Sequence, residues 1–245
     1  MRLSPSGRDP GRAAALTALP FAHRGLHGPG IVENSRAAFA AAIAAGHGIE
    51  LDVQASRDGE AMVIHDHGLD RLTHAAGPVA ERTSAELRTI TLRGTSETIP
   101  TLAEALELIG SRAAVLIEVK SPDAHVARLC LSVFRALAGY RGLAGVMSFN
   151  PQVPRWFARH APRVVRGLVV TQSGKSGVRG ECERSLSLWR AEPDFLACDI
   201  RDLPSRFAAT QRRRGLPVLT WTVRGAEERA RAAVHADQII YEAPR

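Results

Sequence analysis

The order of apolar runs along the chain predicts an α/β fold, a TIM (β/α)8 barrel with a small insertion after the second strand. Three observations carry this expectation. Short β-branched runs alternate with longer amphipathic ones, the pattern of repeated βα units. Once a single hairpin strand is set aside, eight such runs remain, the number that closes a barrel. The 245 residues, 45% of them hydrophobic, are enough to fill one large core.

Strands are predicted near residues 21–25, 48–55, 115–120, 145–149, 164–170, 195–200, 217–223 and 238–241. Helices are predicted near 35–45, 101–109, 122–138, 151–159, 180–189, 204–214 and 225–233. Their starts are signposted: Asn34 or Ser35 can cap the first, Thr101 with Glu104 suits a capping box, and Pro122 and Pro151 suit first turns. The run at 62–66 breaks the alternation. Only Arg57-Asp58-Gly59-Glu60 separates it from the preceding strand, too little chain for a crossover helix, and Asp-Gly marks a turn. These two strands should form an antiparallel hairpin. Residues from about 66 to 100 then become the insertion, residues 21–245 the barrel domain, and residues 1–20 a flexible tail. An open doubly wound sheet should carry a glycine-rich phosphate loop after its first strand, and the sequence has none there.

Composition argues against several classes of function. No run approaches the roughly 18 apolar residues of a membrane span, so stable membrane insertion is not expected. Arg2, Arg8 and Arg12 before the apolar stretch 13–22 imitate a secretory signal, but Pro20 interrupts it and it runs straight into the first strand. A cytoplasmic location is expected. Cys130, Cys182 and Cys198 make neither a metal-ligand spacing nor a disulfide framework. The formal charge of +7 is mostly scattered arginine, and its one dense cluster is Gln211-Arg212-Arg213-Arg214. With 5% aromatic residues and no stacking platform beside that cluster, nucleic acid is not an expected partner. No feature of the sequence speaks to the oligomeric state.

Catalytic groups of such barrels stand at the C-terminal ends of strands. Polar residues concentrate there: His23-Arg24-Gly25 ends the first strand, Glu50-Leu51-Asp52 lies in the second, His65-Asp66 ends the hairpin strand, and Glu118-Val119-Lys120 ends the third. Glu50 and Asp52, two residues apart, project to one face. Inward acids are costly unless a cation compensates for their lost hydration. With Glu118 they form an oxygen-only set that favours one divalent cation, Mg²⁺ or Ca²⁺, over zinc. A salt-bridge network with Lys120 and Arg24 accounts for the same acids. His23 and His65 have the side chain best suited to passing protons near neutral pH and could flank a phosphorus atom between them. Arg24 and Lys120 suit its oxygens. Trp221, at a strand end, reads either as a wall of the substrate site or as packing.

The ordered set closely resembles the glycerophosphodiester phosphodiesterases. His23-Arg24-Gly25 is followed by Glu33-Asn34-Ser35, Glu50-Leu51-Asp52-Val53, Asp58-Gly59, His65-Asp66 and Leu69-Asp70-Arg71-Leu72-Thr73. The match continues through Ile99-Pro100-Thr101-Leu102, Glu118-Val119-Lys120, Ser148-Phe149 and Thr220-Trp221-Thr222-Val223, nearly the whole chain after the tail. The resemblance implies a barrel with a divalent cation held by Glu50, Asp52 and Glu118, catalytic histidines at His23 and His65, and phosphate contacts at Arg24 and Lys120. It further implies hydrolysis of a small-molecule glycerophosphodiester to glycerol 3-phosphate and an alcohol.

The chain departs from the family pattern at a few points. Ser35 replaces a more common threonine, Arg224 stands where asparagine often follows Trp-Thr-Val, and Tyr241-Glu242 replaces Thr-Asp. These bear on the rim and on substrate choice, leaving the implied ligands and histidines intact. Asn34 reads as a helix cap with some role in the site, and Asp66 as an orienting group for His65 or the insertion. Two alternatives accompany the main expectation: a lysophospholipase D-type activity on acylated diesters, and a barrel that binds phosphorylated ligands without turning them over.

Overall fold

The structure, a computed structural model, describes residues 10–122, 124–174 and 177–243. Helix α1 (Pro10–Leu16) leads into β1 (Phe21–Ala22), followed by α2 (Arg36–Ala44), β2 (Gly48–Ala55), β3 (Ala61–Val63) and the short α3 (Ser84–Leu87). The remaining units are α4 (Leu102–Ile109), β4 (Val115–Val119), α5 (Ala127–Ala138), β5 (Ala144–Ser148), α6 (Gln152–His160) and β6 (Val165–Val170). The chain then runs through α7 (Gly177–Ala191), β7 (Phe195–Asp199), α8 (Arg206–Arg213), β8 (Val218–Val223), α9 (Ala226–His235) and β9 (Gln238–Tyr241). Eight strands pair in parallel in the order β1-β9-β8-β7-β6-β5-β4-β2, and β1 pairs with β2 to close the ring. This is the TIM barrel expected from the alternation. Strand β3 pairs antiparallel with the end of β2, Val63 opposite Val53, as the Asp58-Gly59 turn demands.

Strand alternation sorts the side chains into two cores. Ile49, Leu51 and Val53 of β2 pack outward among helix residues such as Phe39, Leu102 and Leu106. Phe21, Leu116, Val165, Phe195, Leu219 and Ile240 fill the lumen. Because Glu50 and Asp52 alternate with the outward residues of β2, they face the lumen, above this apolar floor. A Cβ at Gly48 would sit 2.6 Å from the Phe21 ring and one at Gly167 2.3 Å from the Phe195 ring, so small residues make room for the large ones.

Where a flexible tail was expected over 1–20, residues 10–16 form α1, and only residues 1–9 of that tail lie outside the described residues. Ala13 and Leu16, one helical turn apart, are buried against the lumen core. Space for Leu16 comes from Gly145, where a Cβ would lie 2.5 Å from a Leu16 methyl. The apolar part of that stretch, through Ala13 and Leu16, thus plugs the barrel.

Other boundaries move for local reasons. Strand β1 stops at Ala22 because Arg24 (φ 57°) and Gly25 (φ 76°) turn the chain away. Gly25 is needed twice over: a Cβ there would lie 2.8 Å from that of Ala38, so the close approach of α2 excludes larger residues. Ser35, not Asn34, caps α2, accepting a hydrogen bond from the Ala38 amide. Thr101 and Glu104 make the expected capping box on α4. Between β3 and α4, residues such as Leu69, Val79, Leu87, Leu92 and Ile99 form a small core of their own under Met62 and Ile64. No helix among the described residues is long and apolar enough to cross a membrane.

Candidate active site

The C-terminal ends of the strands open into a cavity of ≈ 430 Å³ lined by His23, Arg24, Glu50, His65, Glu118 and Lys120. Trp221, Phe149, Asp199, Arg201 and Arg224 form further parts of its wall. Asp52, completely buried beneath them, ties into the same charges. The eight residues singled out from the sequence are therefore neighbours in space.

Glu50, Asp52 and Glu118 offer oxygens that all lie within 4.8 Å of one another, and all three side chains are buried. Register explains the convergence, since Asp52 is the direct neighbour of Glu118 across the β2–β4 pair. Glu50 decides whether these acids suit a cation. One of its oxygens accepts from the Arg24 amide at 3.0 Å, while Oε1 is buried with no hydrogen-bond partner. Burial, then the charges of Asp52 and Glu118, pushes its carboxyl well above the usual carboxylate range. An orphaned oxygen in a convergent three-carboxylate cradle fits a hard divalent cation better than a closed network of ion pairs.

Two cations border the cradle. Lys120 Nζ lies 3.0 Å from Asp52 Oδ1 and 2.5 Å from Glu118 Oε1. Arg24 Nε lies 3.4 Å from Asp52 Oδ2, and its other end donates to Glu33 at 2.8 Å. Burial alone would raise the Asp52 carboxyl, but Lys120 and Arg24 outweigh it and hold it down at about 2. Asn34 does not cap α2. It is buried, with its amide donating to Asp52 Oδ2 at 3.0 Å and its carbonyl accepting from the Asp52 amide. A positive φ of 56° at Asn34 aims the side chain there.

Each histidine is paired with an acid through Nδ1. His23 Nδ1 lies 2.9 Å from Glu242 Oε1, and His65 Nδ1 lies 2.6 Å from Asp66 Oδ1. Both acids are held ionised. His23 and then Arg224 depress the Glu242 carboxyl, while Arg71 and then His65 hold that of Asp66 at about 2. A carboxylate only accepts, so Nδ1 donates in both pairs and Nε2 is left as the basic nitrogen. His23 Nε2 lies 4.0 Å from Glu50 Oε2. Burial lowers the pKa of both rings, the acid partners pulling back against it.

Trp221 lines the cavity with its indole N–H bonded to the Ala197 carbonyl at 3.0 Å. Its ring meets Phe149 edge-on at 5.5 Å. It is wall and packing together. The departures at 224 and 242 meet each other: Arg224 donates to both oxygens of Glu242, at 2.8 and 3.0 Å. Glu242 also lies against His23, its Oε1 2.9 Å from the ring Nδ1. Sequence reasoning also passed over Asp199 and Arg201, an ion pair on the cavity wall, although Asp199 shows the same strand-end signal as the other acids.

Fold and site together place a cluster of acids, basic side chains and acid-paired histidines at the mouth of a (β/α)8 barrel. A profile of the Glycerophosphoryl diester phosphodiesterase family matches residues 23–244, and the chain belongs to that family. It is 35% identical over 164 residues to a glycerophosphodiester phosphodiesterase of Caldanaerobacter subterraneus, a match covering 63% of this chain and 67% of the relative. A phosphodiesterase of Oleispira antarctica, solved with the product sn-glycerol-3-phosphate, shares the fold at a TM-score of 0.82 and 23% identity, covering 94% of each chain. A glycerophosphodiester phosphodiesterase of Agrobacterium tumefaciens superposes at a TM-score of 0.68 with 26% identity, covering 91% of this chain and 96% of that one.

Proposed function

We propose that the protein hydrolyses glycerophosphodiesters to glycerol 3-phosphate and an alcohol, with His23 and His65 as the acid–base pair beside a divalent cation. The observation that carries this reading is the meeting of three buried acids, two cations and two acid-paired histidines in one cavity. The three carboxylates of the cradle outnumber the two cations that border it, and a divalent ion would offset that excess.

Glu50, Asp52 and Glu118 would hold the ion. When bound, it supplies Lewis acidity to the phosphoryl group. Arg24 and Lys120 fix the phosphate oxygens by charge-assisted hydrogen bonds. One histidine takes the proton of the attacking hydroxyl at Nε2 as the new P–O bond forms. The other donates a proton to the departing alcohol oxygen as its bond to phosphorus breaks. The attacking group is either the neighbouring glycerol hydroxyl, giving a cyclic phosphate that water opens in a second round, or water itself. Family membership and the product named in the Oleispira antarctica complex support the substrate class.

The test is release of glycerol 3-phosphate from glycerophosphodiesters, with and without chelator, in the parent, His23→Ala and His65→Ala. Activity that survives chelation would remove the cation from the scheme. A dispensable histidine would lose its role as a proton carrier.

A further inference from the structure

Arg71 belongs to the insertion, outside the barrel, yet it grips two acids that reach the site. Its guanidinium donates to Asp66 through Nε at 2.5 Å and through an amino group at 3.0 Å. It also donates to Glu33 through both amino groups, at 2.9 and 2.7 Å. Asp66 in turn accepts from His65 Nδ1, and Glu33 accepts from Arg24. One side chain thus joins a chain of contacts from the ring of His65 to the guanidinium of Arg24. All five groups are charged or charge-paired, and Arg71 is the member that lies deepest in the insertion sequence. Lysine could not replace it, because an ammonium cannot present parallel donor pairs to two carboxylates at once.

We infer that Arg71 is a positioning residue for both halves of the reaction, setting His65 through Asp66 and Arg24 through Glu33. The insertion therefore takes part in catalysis by delivering a double-ended clamp to the barrel mouth. This rests on the assignment of His65 and Arg24 above. Severing one end of the clamp should affect one kinetic constant, because proton transfer and phosphate binding are held by different acids. The loss at the His65 end falls on kcat, and the loss at the Arg24 end falls on KM.

The experiment uses the full chain with its divalent cation and a glycerophosphodiester substrate. Asp66→Asn should lower kcat by about 10- to 100-fold with little change in KM, the size of effect that small misplacement of a reacting group produces. Glu33→Gln should raise KM and spare kcat. Arg71→Ala and the longer Arg71→Gln should show both defects, Arg71→Lys should recover neither fully, and millimolar guanidinium should restore part of kcat to Arg71→Ala alone. Arg93→Ala serves as control: Arg93 holds the carbonyls of Asp70 and Thr73 in the same insertion without touching Asp66 or Glu33. It should lose stability and keep the parent constants. In the resting protein, the ring of His65 followed by NMR should titrate higher in Arg71→Ala, since removing the cation leaves the charge of Asp66 to act on it. Parent-like kcat, KM and ring titration in folded Arg71→Ala would overturn the inference, as would equal losses in Arg93→Ala. A parent without diesterase activity, or an active His65→Ala, would instead fault the function proposed above.

Discussion

Replacing Glu50 by glutamine should raise stability in chelator and abolish the stabilisation that a divalent cation gives. Glu50 is buried with Asp52 and Glu118, all within 4.8 Å. Two like charges at about 4.8 Å repel by roughly 3 kcal/mol at an effective dielectric of about 20. If the carboxyl takes up a proton on folding instead, the cost at pH 7 has a ceiling near 4 kcal/mol, set by an ordinary pKa of about 4.3. Lys120 and Arg24 offset part of either cost, leaving about 1–3 kcal/mol for the amide to relieve. The glutamine side chain of Glu50→Gln keeps an oxygen for the Arg24 amide, so the turn after β1 has no reason to move. For a chain of this length that gain corresponds to roughly 2–12 °C in Tm. In the parent, a cation at a hundred times its dissociation constant should contribute about 2.7 kcal/mol, or roughly 5–11 °C. The assay is thermal unfolding of both proteins in chelator and in millimolar Mg²⁺, Ca²⁺ or Mn²⁺. The variant's advantage in chelator should shrink or reverse when the cation is added. A variant less stable than the parent in chelator, or one that responds to cation as the parent does, would refute the cradle as a cation site.

Three further outcomes test other parts of the structure. Leu16→Ala should cost about 3 kcal/mol, roughly 6–12 °C in Tm, as expected for emptying a buried leucine site, while kcat stays within about two-fold because the plug lies under the lumen core. Gly25→Ala should lower both stability and activity, since it forces a strained φ and a contact of 2.8 Å with Ala38 beside Arg24; thermal melts and turnover of the same preparation check it. The Asp66 carboxyl is held at about 2, chiefly by Arg71, so its stabilisation is complete above its ordinary pKa of about 4 and is lost as the pH falls towards 2. Urea melts at pH 7, 5 and 3 should therefore show the gap between parent and Asp66→Asn widest at the two higher values and narrowing at pH 3.

The barrel was legible because eight short β-branched runs alternate with amphipathic helical ones, and the hairpin because Arg57-Asp58-Gly59-Glu60 is too short for a crossover helix. Glu50 and Asp52 stood out as a same-face pair on one strand and Glu118 as an acid at the end of another, while their joint role as ligands was what the resemblance implied. The plug was not legible, since Ala13 and Leu16 have meaning only against Gly145 and the lumen residues they meet across the fold. The role of Asn34 depended on a positive φ that sequence does not display, and Ser35 beside it competes for the same cap signal. Glu33 and Arg71 lay in recognisable motifs, but their pairing joins segments 38 positions apart, and local pattern carries no information about it. Arg224 and Glu242 each looked like an isolated departure. They meet in the fold, the arginine holding the carboxylate that also touches His23.

His23 and Glu242 stand 219 positions apart and meet because β1 and β9 are adjacent in the ring. The acid partner of His23 therefore directly follows the strand that closes the ring, and that strand supplies Ile240 to the lumen that holds the Leu16 plug. A chain halted before β9 keeps all three acids and both histidines, yet has an open ring, a loose plug and an untethered His23. Long-range closure of this kind is slow relative to local helix formation. The alignment of His23 in this protein thus depends on ring closure: a chain without β9 holds the same residues without their alignment and exposes the apolar lumen.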